Sequence, residues 1–376
     1  MHSFKTVSDI RIAPGGAAKL DHYVEGLCDN KRIAIVTDKG VRGLGLMDAG
    51  LASLEDAGHK VMVFDDVVAD PPDHIVQMGA DKIRDFGAGL VIGFGGGSPM
   101  DTAKVIAHLV GCDQPLSEIY GVGNARGPKL PLLLMPTTSG TGSEVTNVAI
   151  LTTGKTSKQG IVADSLYADR VLLDAELTLG LPKSITAATG IDAMVHAIEA
   201  YTSIRLKNPL SDAMALTALR KLRGSIVTAC HEPDNINARN DMLMGAMIAG
   251  QAFSNAPCAA VHALAYPLGG FFHVPHGLSN ALVLTEVMKY NQPKAEGWYS
   301  EIATDLGIGT TANSLIDDML RIKDATDVPQ TLRAVNIPAD AIPMMAEDAM
   351  AKERLLINNP RLMTYDATVK IYETIL

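Results

Sequence analysis

The sequence lacks several features that would each point to a particular class of protein. Its four cysteines are widely spaced, with no C-x-x-C pair, so no disulfide framework is indicated and we expect reduced thiols. No apolar run reaches the roughly 18 residues that a membrane helix needs. The net charge of -10 comes from acidic and basic residues mixed along the chain, which argues against a nucleic-acid partner. The first residues show no secretory signal, so we expect a cytoplasmic protein that acts on a small molecule.

A chain of 376 residues is too long for one typical core and predicts two domains. The first half alternates short β-type runs with helical stretches, which predicts a mainly parallel sheet with helices on both faces. We predict strands at 31–37, 60–64, 90–93 and 132–135 and helices near 41–57, 73–86 and 99–110. Helical stretches such as 212–228 and 241–253 dominate later. We therefore predict an α/β domain over residues 1–182 and an all-helical domain over residues 183–376.

Four side chains in the second half have donor types that suit a transition metal. Asp192 and His196 have i,i+4 spacing in a predicted helix, which puts both on one face about one turn apart. His262 and His276 lie in separate apolar segments and would close the coordination from another side. Three imidazoles and a carboxylate suit Fe(II), Zn or Ni better than calcium or magnesium. A lone histidine in an apolar helix is usually a core residue, but the four together favour a metal site.

Two loops that follow predicted strands are suited to a dinucleotide. In Gly93-Phe-Gly-Gly-Gly-Ser-Pro-Met-Asp101 a strand ends, glycines allow a turn, and a helix starts with Ser98 as its predicted N-cap. Free backbone amides there would face a pyrophosphate, although a plain strand-to-helix turn is the alternative. The pattern also departs from the standard G-x-G-x-x-G. Pro136-Thr-Thr-Ser-Gly-Thr-Gly-Ser-Glu144 follows the next strand and concentrates hydroxyl donors at the same end of the sheet.

Asp38 lies at the end of the first buried strand. A carboxylate at this position can accept hydrogen bonds from a ribose diol and repel a 2′-phosphate. This position favours NAD over NADP. A helix cap is the alternative role for the same side chain.

Four stretches of the sequence together resemble the iron-dependent (group III) alcohol dehydrogenases. They are GGGSPMDTAK, PTTSGTGSEVT, ATGIDAMVHAIEAY and VHALAYPLGGFFHVPHGLSNALVL, in that order. The similarity spans nearly the whole chain and is greatest to the branch of lactaldehyde/1,2-propanediol and 1,3-propanediol oxidoreductases. The resemblance implies the dehydroquinate synthase-like fold, with an N-terminal dinucleotide-binding α/β domain, a C-terminal all-helical domain and an active site in the cleft between them. It also implies a homodimer or a larger homo-oligomer.

The same resemblance implies particular site residues. The family's metal ligands fall on Asp192, His196, His262 and His276, which would hold Fe(II), with Zn as the alternative. The residues implied to contact the cofactor are Asp38, Gly96, Gly97, Ser98, Asp101, Thr137, Thr138, Thr141 and Lys158. One departure is Tyr266, because many alcohol-active members carry a further histidine at this position, four residues after the third ligand. A phenol, with an ordinary pKa of about 10, transfers protons less readily at neutral pH than an imidazole does.

These observations predict an NAD-dependent, metal-assisted hydride transfer that interconverts a small primary alcohol or diol and its aldehyde. The alternatives within the same fold are glycerol dehydrogenase, maleylacetate reductase and hydroxyacid-oxoacid transhydrogenase. A transhydrogenase would require an oxoacid acceptor and no free NAD. An inactive nucleotide- or metal-binding homologue is a further alternative, and it would bind NAD without turnover.

Overall fold

The computed structural model describes residues 3–154 and 157–376, which form two compact units. The first, called here the α/β unit, contains Thr6–Thr138 and Gly142–Leu179. The second, called the helical unit, contains residues 3–5, Ser139–Thr141 and Gly180–Leu376. Ser139–Thr141 therefore group with helices that lie far from them in the sequence.

The α/β unit is built on a six-stranded sheet with the strand order β1-β9-β6-β4-β2-β3. The strands of this unit are β1 (Ile10–Ile12), β2 (Arg32–Asp38), β3 (Lys60–Val67), β4 (Leu90–Gly95), β5 (Gly121–Val122), β6 (Leu132–Pro136), β7 (Val148–Thr153), β8 (Ser157–Val162) and β9 (Arg170–Leu173). Every pairing given for the main sheet is parallel, which confirms the predicted sheet. A second sheet of order β5-β8-β7, with an antiparallel β7-β8 pair, was not predicted.

The central strands β2, β4 and β6 are almost entirely buried. Strands of a parallel sheet are covered on both faces, so they contain continuous apolar runs rather than alternating ones. β4 pairs with β2 on one side and with β6 on the other. The carboxyl ends of these three strands consequently lie side by side at one edge, which is where ligands bind in such sheets.

The helices of the α/β unit follow the predicted alternation, with one difference. They are α1 (Leu20–Val24), α2 (Lys39–Gly43), α3 (Asp48–Asp56), α4 (Asp73–Phe86) and α5 (Gly97–Gly111). The bounds of α4 agree with the prediction, and Gly87 ends it in the left-handed conformation. The single helix predicted near 41–57 is wrong, because the chain turns between α2 and α3 at Gly45, whose φ is 69°.

The helical unit confirms the predicted change to α-structure. Its helices are α6 (Lys183–Thr202), α7 (Pro209–His231), α8 (Ile236–Asn255), α9 (Ala260–Phe272), α10 (His276–Asp305), α11 (Ala312–Ala325), α12 (Ile342–Met350), α13 (Glu353–Leu356) and α14 (Tyr365–Thr374). Helix α6 is buried along most of its length and packs against α7, α8 and α10. Within the described part of the chain, no helix has both the length and the apolar character needed to cross a bilayer.

Candidate active site

Three helices of the helical unit bring the four predicted metal ligands together. Asp192 and His196 lie one turn apart on α6, His262 lies in the first turn of α9, and His276 is the first residue of α10. One donor atom from each of the four side chains lies within 4.8 Å of the others. Asp192, His196 and His262 are buried, whereas His276 is partly exposed. The cluster is therefore closed on the protein side and accessible at His276.

The distances between donor atoms suit a single transition-metal ion. Oδ1 of Asp192 lies 3.9 Å from Nε2 of His262 and 3.7 Å from Nε2 of His276. Four ligands at about 2.1 Å from a tetrahedral ion are separated by roughly 3.4 Å, so a small contraction would complete such a site. Among the described residues, Nδ1 of His196 and Oδ1 of Asn280 are buried without a hydrogen-bond partner. Donors of these types, held this close together, fit a bound cation.

Burial also keeps His196 in the protonation state that a ligand needs. It lowers the pKa of this imidazole to about 3, so the ring is neutral at physiological pH. The ring stacks on Phe253 at 4.3 Å and on His262 at 4.7 Å between centroids. These contacts restrict rotation of the imidazole and place an apolar ring against it.

Two further side chains belong to this cluster, and neither is among the residues predicted from the sequence. Asn280 lies one turn after His276 on α10, and its Nδ2 donates to Oδ1 of Asp192 at 2.6 Å. Glu199 lies on α6 and accepts a hydrogen bond from Nδ1 of His262 at 2.6 Å. Helical spacing was the available signal, because Glu199 follows Asp192 by seven residues and Asn280 follows His276 by four.

Tyr266 and His273 lie near the ligands in different settings. Tyr266 follows His262 by one turn on α9, is half-buried, and has its ring centroid 6.2 Å from that of His276. His273 ends α9 in the left-handed conformation, with φ 55°, and is exposed. Tyr266 is thus close to the accessible ligand, whereas His273 is a surface residue outside the ligand cluster.

In the α/β unit, the predicted cofactor residues at the ends of β2, β4 and β6 lie along one edge of the sheet. Asp38 ends β2, Gly96 follows β4, and Thr137 follows β6. The amide of Thr137 donates to the carbonyl of Gly95 at 3.0 Å. A Cβ placed on Gly96 would lie 3.5 Å from Oγ1 of Thr138, so the two loops are in van der Waals proximity. This edge offers backbone amides and hydroxyls to a ligand.

The helix start at this edge differs from the prediction. Ser98 is not the N-cap, because α5 begins at Gly97 with Gly96 in the cap position and no side-chain cap bond. Gly95 has φ 149°, a conformation that glycine adopts readily, so the chain turns into the helix directly after β4. Gly97 and Ser98 therefore lie in the first turn, where backbone amides have no intrahelical partner.

Asp101 has an internal role that the sequence did not reveal. Its Oδ1 accepts from the hydroxyl of Ser143 at 2.5 Å, and its Oδ2 accepts from the amide of Ile150 at 2.9 Å. The buried Lys104 donates to Ser143 at 2.7 Å and to the carbonyl of Val148 at 2.8 Å. Both side chains therefore hold α5 against Ser143 and against the start of β7. Contact between Asp101 and a cofactor stays a prediction.

The remaining predicted cofactor residues have varied surroundings. Oδ1 of Asp38 accepts from the amide of Val41 at 2.9 Å and so caps α2, which is the alternative role considered for it. Lys158 is on β8 of the second sheet, and its ammonium pairs with Asp70 at 2.7 Å. Thr141 groups with the helical unit. Their contacts with a nucleotide stay predictions.

Comparison with known proteins identifies the family. The family described as iron-containing alcohol dehydrogenase matches residues 8–175, and its C-terminal domain matches residues 186–376. Long-chain-alcohol dehydrogenase 1 of Geobacillus thermodenitrificans is 38% identical over 354 residues, which are 91% of this chain and 89% of that protein. A crystal structure of 1,3-propanediol oxidoreductase superposes with a TM-score of 0.95 at 32% identity, over the whole of both chains. Sulfoacetaldehyde reductase from Bifidobacterium kashiwanohense, solved in complex with NAD+, has a TM-score of 0.89 at 29% identity and covers 100% of this chain and 98% of its own.

The chain belongs to the iron-containing alcohol dehydrogenase family. It is therefore a metal-dependent oxidoreductase of alcohols and aldehydes. The resemblance found in the sequence motifs is confirmed, as is the fold that it implied.

Proposed function

We propose that this protein interconverts a small primary alcohol or diol and its aldehyde by reversible hydride transfer with NAD, at a metal held by Asp192, His196, His262 and His276. One observation above all supports this proposal. Three helices bring one donor atom of each of these four side chains within 4.8 Å of the others. Fe(II) is the proposed metal and Zn the alternative, because this ligand set accepts both. The small-alcohol class is supported by the structural likeness to 1,3-propanediol oxidoreductase.

The chain's own residues would bind, orient and shield the reactants. A metal bound by these ligands supplies a Lewis acid that polarises the substrate oxygen. Buried Asp192 and the His196–Phe253 stack limit access of water from the protein side, which strengthens electrostatic interactions at the site. We propose that the half-buried Tyr266, whose ring lies near His276, lines the substrate side.

NAD is the proposed hydride carrier, and the α/β unit is its proposed binding region. The loops after β4 and β6 offer amide and hydroxyl donors at one edge of the sheet, as phosphate and ribose groups require. We propose that the nucleotide is contacted by two groups of residues. They are Gly96, Gly97 and Ser98 in the first loop and Thr137 and Thr138 in the second. The complex of sulfoacetaldehyde reductase with NAD+ supports the choice of nucleotide.

Asp38→Asn is expected to raise the use of NADP relative to NAD by about tenfold, the equivalent of roughly 1.4 kcal/mol. The substitution removes the negative charge that would repel a 2′-phosphate. An asparagine caps a helix as well as an aspartate does, so α2 and the melting temperature should be unaffected. The measurement is kcat/KM for both nucleotides with the same alcohol. An unchanged ratio would count against a ribose-side position for Asp38.

The function itself is tested by metal reconstitution and a panel of alcohols. The protein is purified without oxygen, stripped with a chelator and reloaded with Fe(II) or with Zn(II). NADH formation is then measured with ethanol, 1,2-propanediol, 1,3-propanediol and a longer primary alcohol. We expect turnover only in the metal-loaded samples and the highest kcat/KM with the short alcohols or diols.

Three outcomes would contradict the proposal. Equal activity of the stripped and the loaded protein would exclude the metal role. Aldehyde formation that requires an oxoacid and no free NAD would identify a transhydrogenase. Tight NAD binding without turnover of any alcohol or aldehyde would identify an inactive homologue.

We also propose that the protein is cytoplasmic and that it assembles as a homodimer or a larger homo-oligomer. The described part of the chain contains four free thiols, as is usual for a protein in a reducing compartment. They are Cys28, Cys112, Cys230 and Cys258. Light scattering of the purified protein at several concentrations would measure the state of assembly.

A further inference from the structure

The buried carboxylate of Glu199 makes three hydrogen bonds to the segment that carries His262. Its Oε2 accepts from the amide of Ala259 at 3.0 Å and from Nδ1 of His262 at 2.6 Å. Its Oε1 accepts from the amide of Val261 at 2.7 Å. The residue is 4% exposed, so these bonds are made away from competing water.

Two of these bonds fix the start of helix α9. The first amides of a helix have no intrahelical partner, and a side-chain acceptor normally caps them. Ala259 occupies the N-cap position and has no side chain that can do so. Glu199 provides the acceptor from helix α6 instead. It thereby ties the helix that bears His262 to the helix that bears Asp192 and His196.

The third bond determines which nitrogen of His262 is protonated. Both oxygens of Glu199 already accept from backbone amides, so Nδ1 of His262 is the donor of the third bond. In the neutral imidazole the lone pair is then on Nε2, the atom that lies 3.9 Å from Oδ1 of Asp192. In the neutral ring that metal binding requires, the proton is held on the side of Glu199 and the lone pair is directed at the ligand cluster.

A second group of side chains has donor types that could hold an ion without the other ligands. It consists of Glu199, Cys258 and His262. The hydrogen bonds argue against a separate site there. Nδ1 of His262 and both oxygens of Glu199 are already joined to each other or to backbone amides. The group shares His262 with the four-ligand cluster, so it supports that cluster.

We infer that Glu199 is a positioning residue that sets the tautomer and the orientation of His262 for metal binding. This inference rests on the proposed function and concerns the same site. A carboxylate behind a ligating imidazole raises its basicity and fixes its ring, and loss of such a partner typically costs ten- to a hundredfold in metal affinity. We therefore expect the dissociation constant for Co(II) or Zn(II) to rise by about that factor in Glu199→Gln.

The amide of Glu199→Gln has nearly the size of the carboxylate but only one oxygen. In either orientation its NH2 group faces at least one of the three N–H donors, so the start of α9 or the imidazole loses an acceptor. Glu199→Met removes every acceptor at similar volume and should weaken binding further. If Glu199→Met fails to fold, Glu199→Gln still tests the inference.

Two measurements on the full-length chain separate positioning from simple stability. Competition of Co(II) and Zn(II) against a chelator gives the dissociation constants. Nitrogen-15 NMR of the histidine rings, in the metal-free and Zn(II)-loaded protein, reports the tautomer of His262. We expect a proton on Nδ1 in the unsubstituted chain and a loss of that preference in the Glu199 variants.

Thr311→Ala is the matched control, because Thr311 caps α11 through the amide of Ser314 and is not a candidate ligand. It should lower the melting temperature without changing metal affinity or the His262 tautomer. If the control weakens metal binding as much as Glu199→Gln does, or if both Glu199 variants keep the affinity and the tautomer, the role of Glu199 is refuted. Absence of metal binding by the unsubstituted chain would instead contradict the proposed function, and the NMR measurement would still show whether Glu199 sets the tautomer.

Discussion

His262→Ala is expected to lower kcat/KM with Fe(II) by roughly 10³-fold and to reduce bound metal below one equivalent. His262 would supply one of four ligands, and its ring is buried between His196 and Glu199. Alanine leaves a gap in the coordination shell that no neighbouring side chain fills without rearrangement. Metal assistance contributes several kcal/mol to transition-state stabilisation, and about 1.4 kcal/mol corresponds to tenfold in rate. A loss of roughly 4 kcal/mol gives the expected factor.

The measurement combines elemental analysis of the anaerobically purified variant with NADH formation at saturating Fe(II). His273→Asn is the control, because it removes a nearby imidazole outside the ligand cluster, and asparagine tolerates the left-handed conformation found at that position. The control should keep its metal and its turnover. Unchanged activity and metal content in His262→Ala would refute a ligand role for this residue.

The four candidate ligands could be predicted from the sequence because each combines a metal-binding side chain with an apolar context and a family motif. The i,i+4 pair on α6 needed only helical geometry. His262 and His276 were joined to that pair by donor type and apolar context, and the resemblance added the same four positions, since no local pattern states how α9 and α10 pack on α6. Glu199 and Asn280 were missed because a single buried Glu or Asn has many structural roles. Their partners become visible only when the helices are in place.

The α/β unit shows the same limit of local patterns. Strands β2, β4 and β6 are continuous apolar runs and were predicted, because burial on both faces leaves a strong signal. The β7-β8 pair was missed, since its residues are partly exposed and include polar side chains such as Lys158 and Gln159. The start of α5 was misplaced because a capping serine is a common helix signal. Here Gly95 and Gly96 achieve the turn through backbone freedom alone.

Gly277→Ala is expected to weaken metal binding at least tenfold although every candidate ligand is retained. Gly277 is buried in the first turn of α10, next to His276. A Cβ at this position would lie 2.4 Å from the carbonyl oxygen of Ala188 and 3.2 Å from Cβ of Asp192. Both contacts are with α6, and the first is with backbone that cannot rotate away. Helix α10 must therefore shift, which moves His276 and Asn280 relative to Asp192.

Overpacking of this kind costs about 1 to 3 kcal/mol of folding free energy, so the melting temperature should also fall. Gly297→Ala on the same helix is the control, because its new Cβ would meet no atom within 4 Å apart from its chain neighbours and the backbone of its own helix. That variant should gain up to about 1 kcal/mol from helix propensity and keep its metal affinity. Chelator competition with Co(II) and thermal unfolding measure both effects. If Gly277→Ala binds Co(II) as tightly as Gly297→Ala, the spacing between α6 and α10 does not govern the metal site.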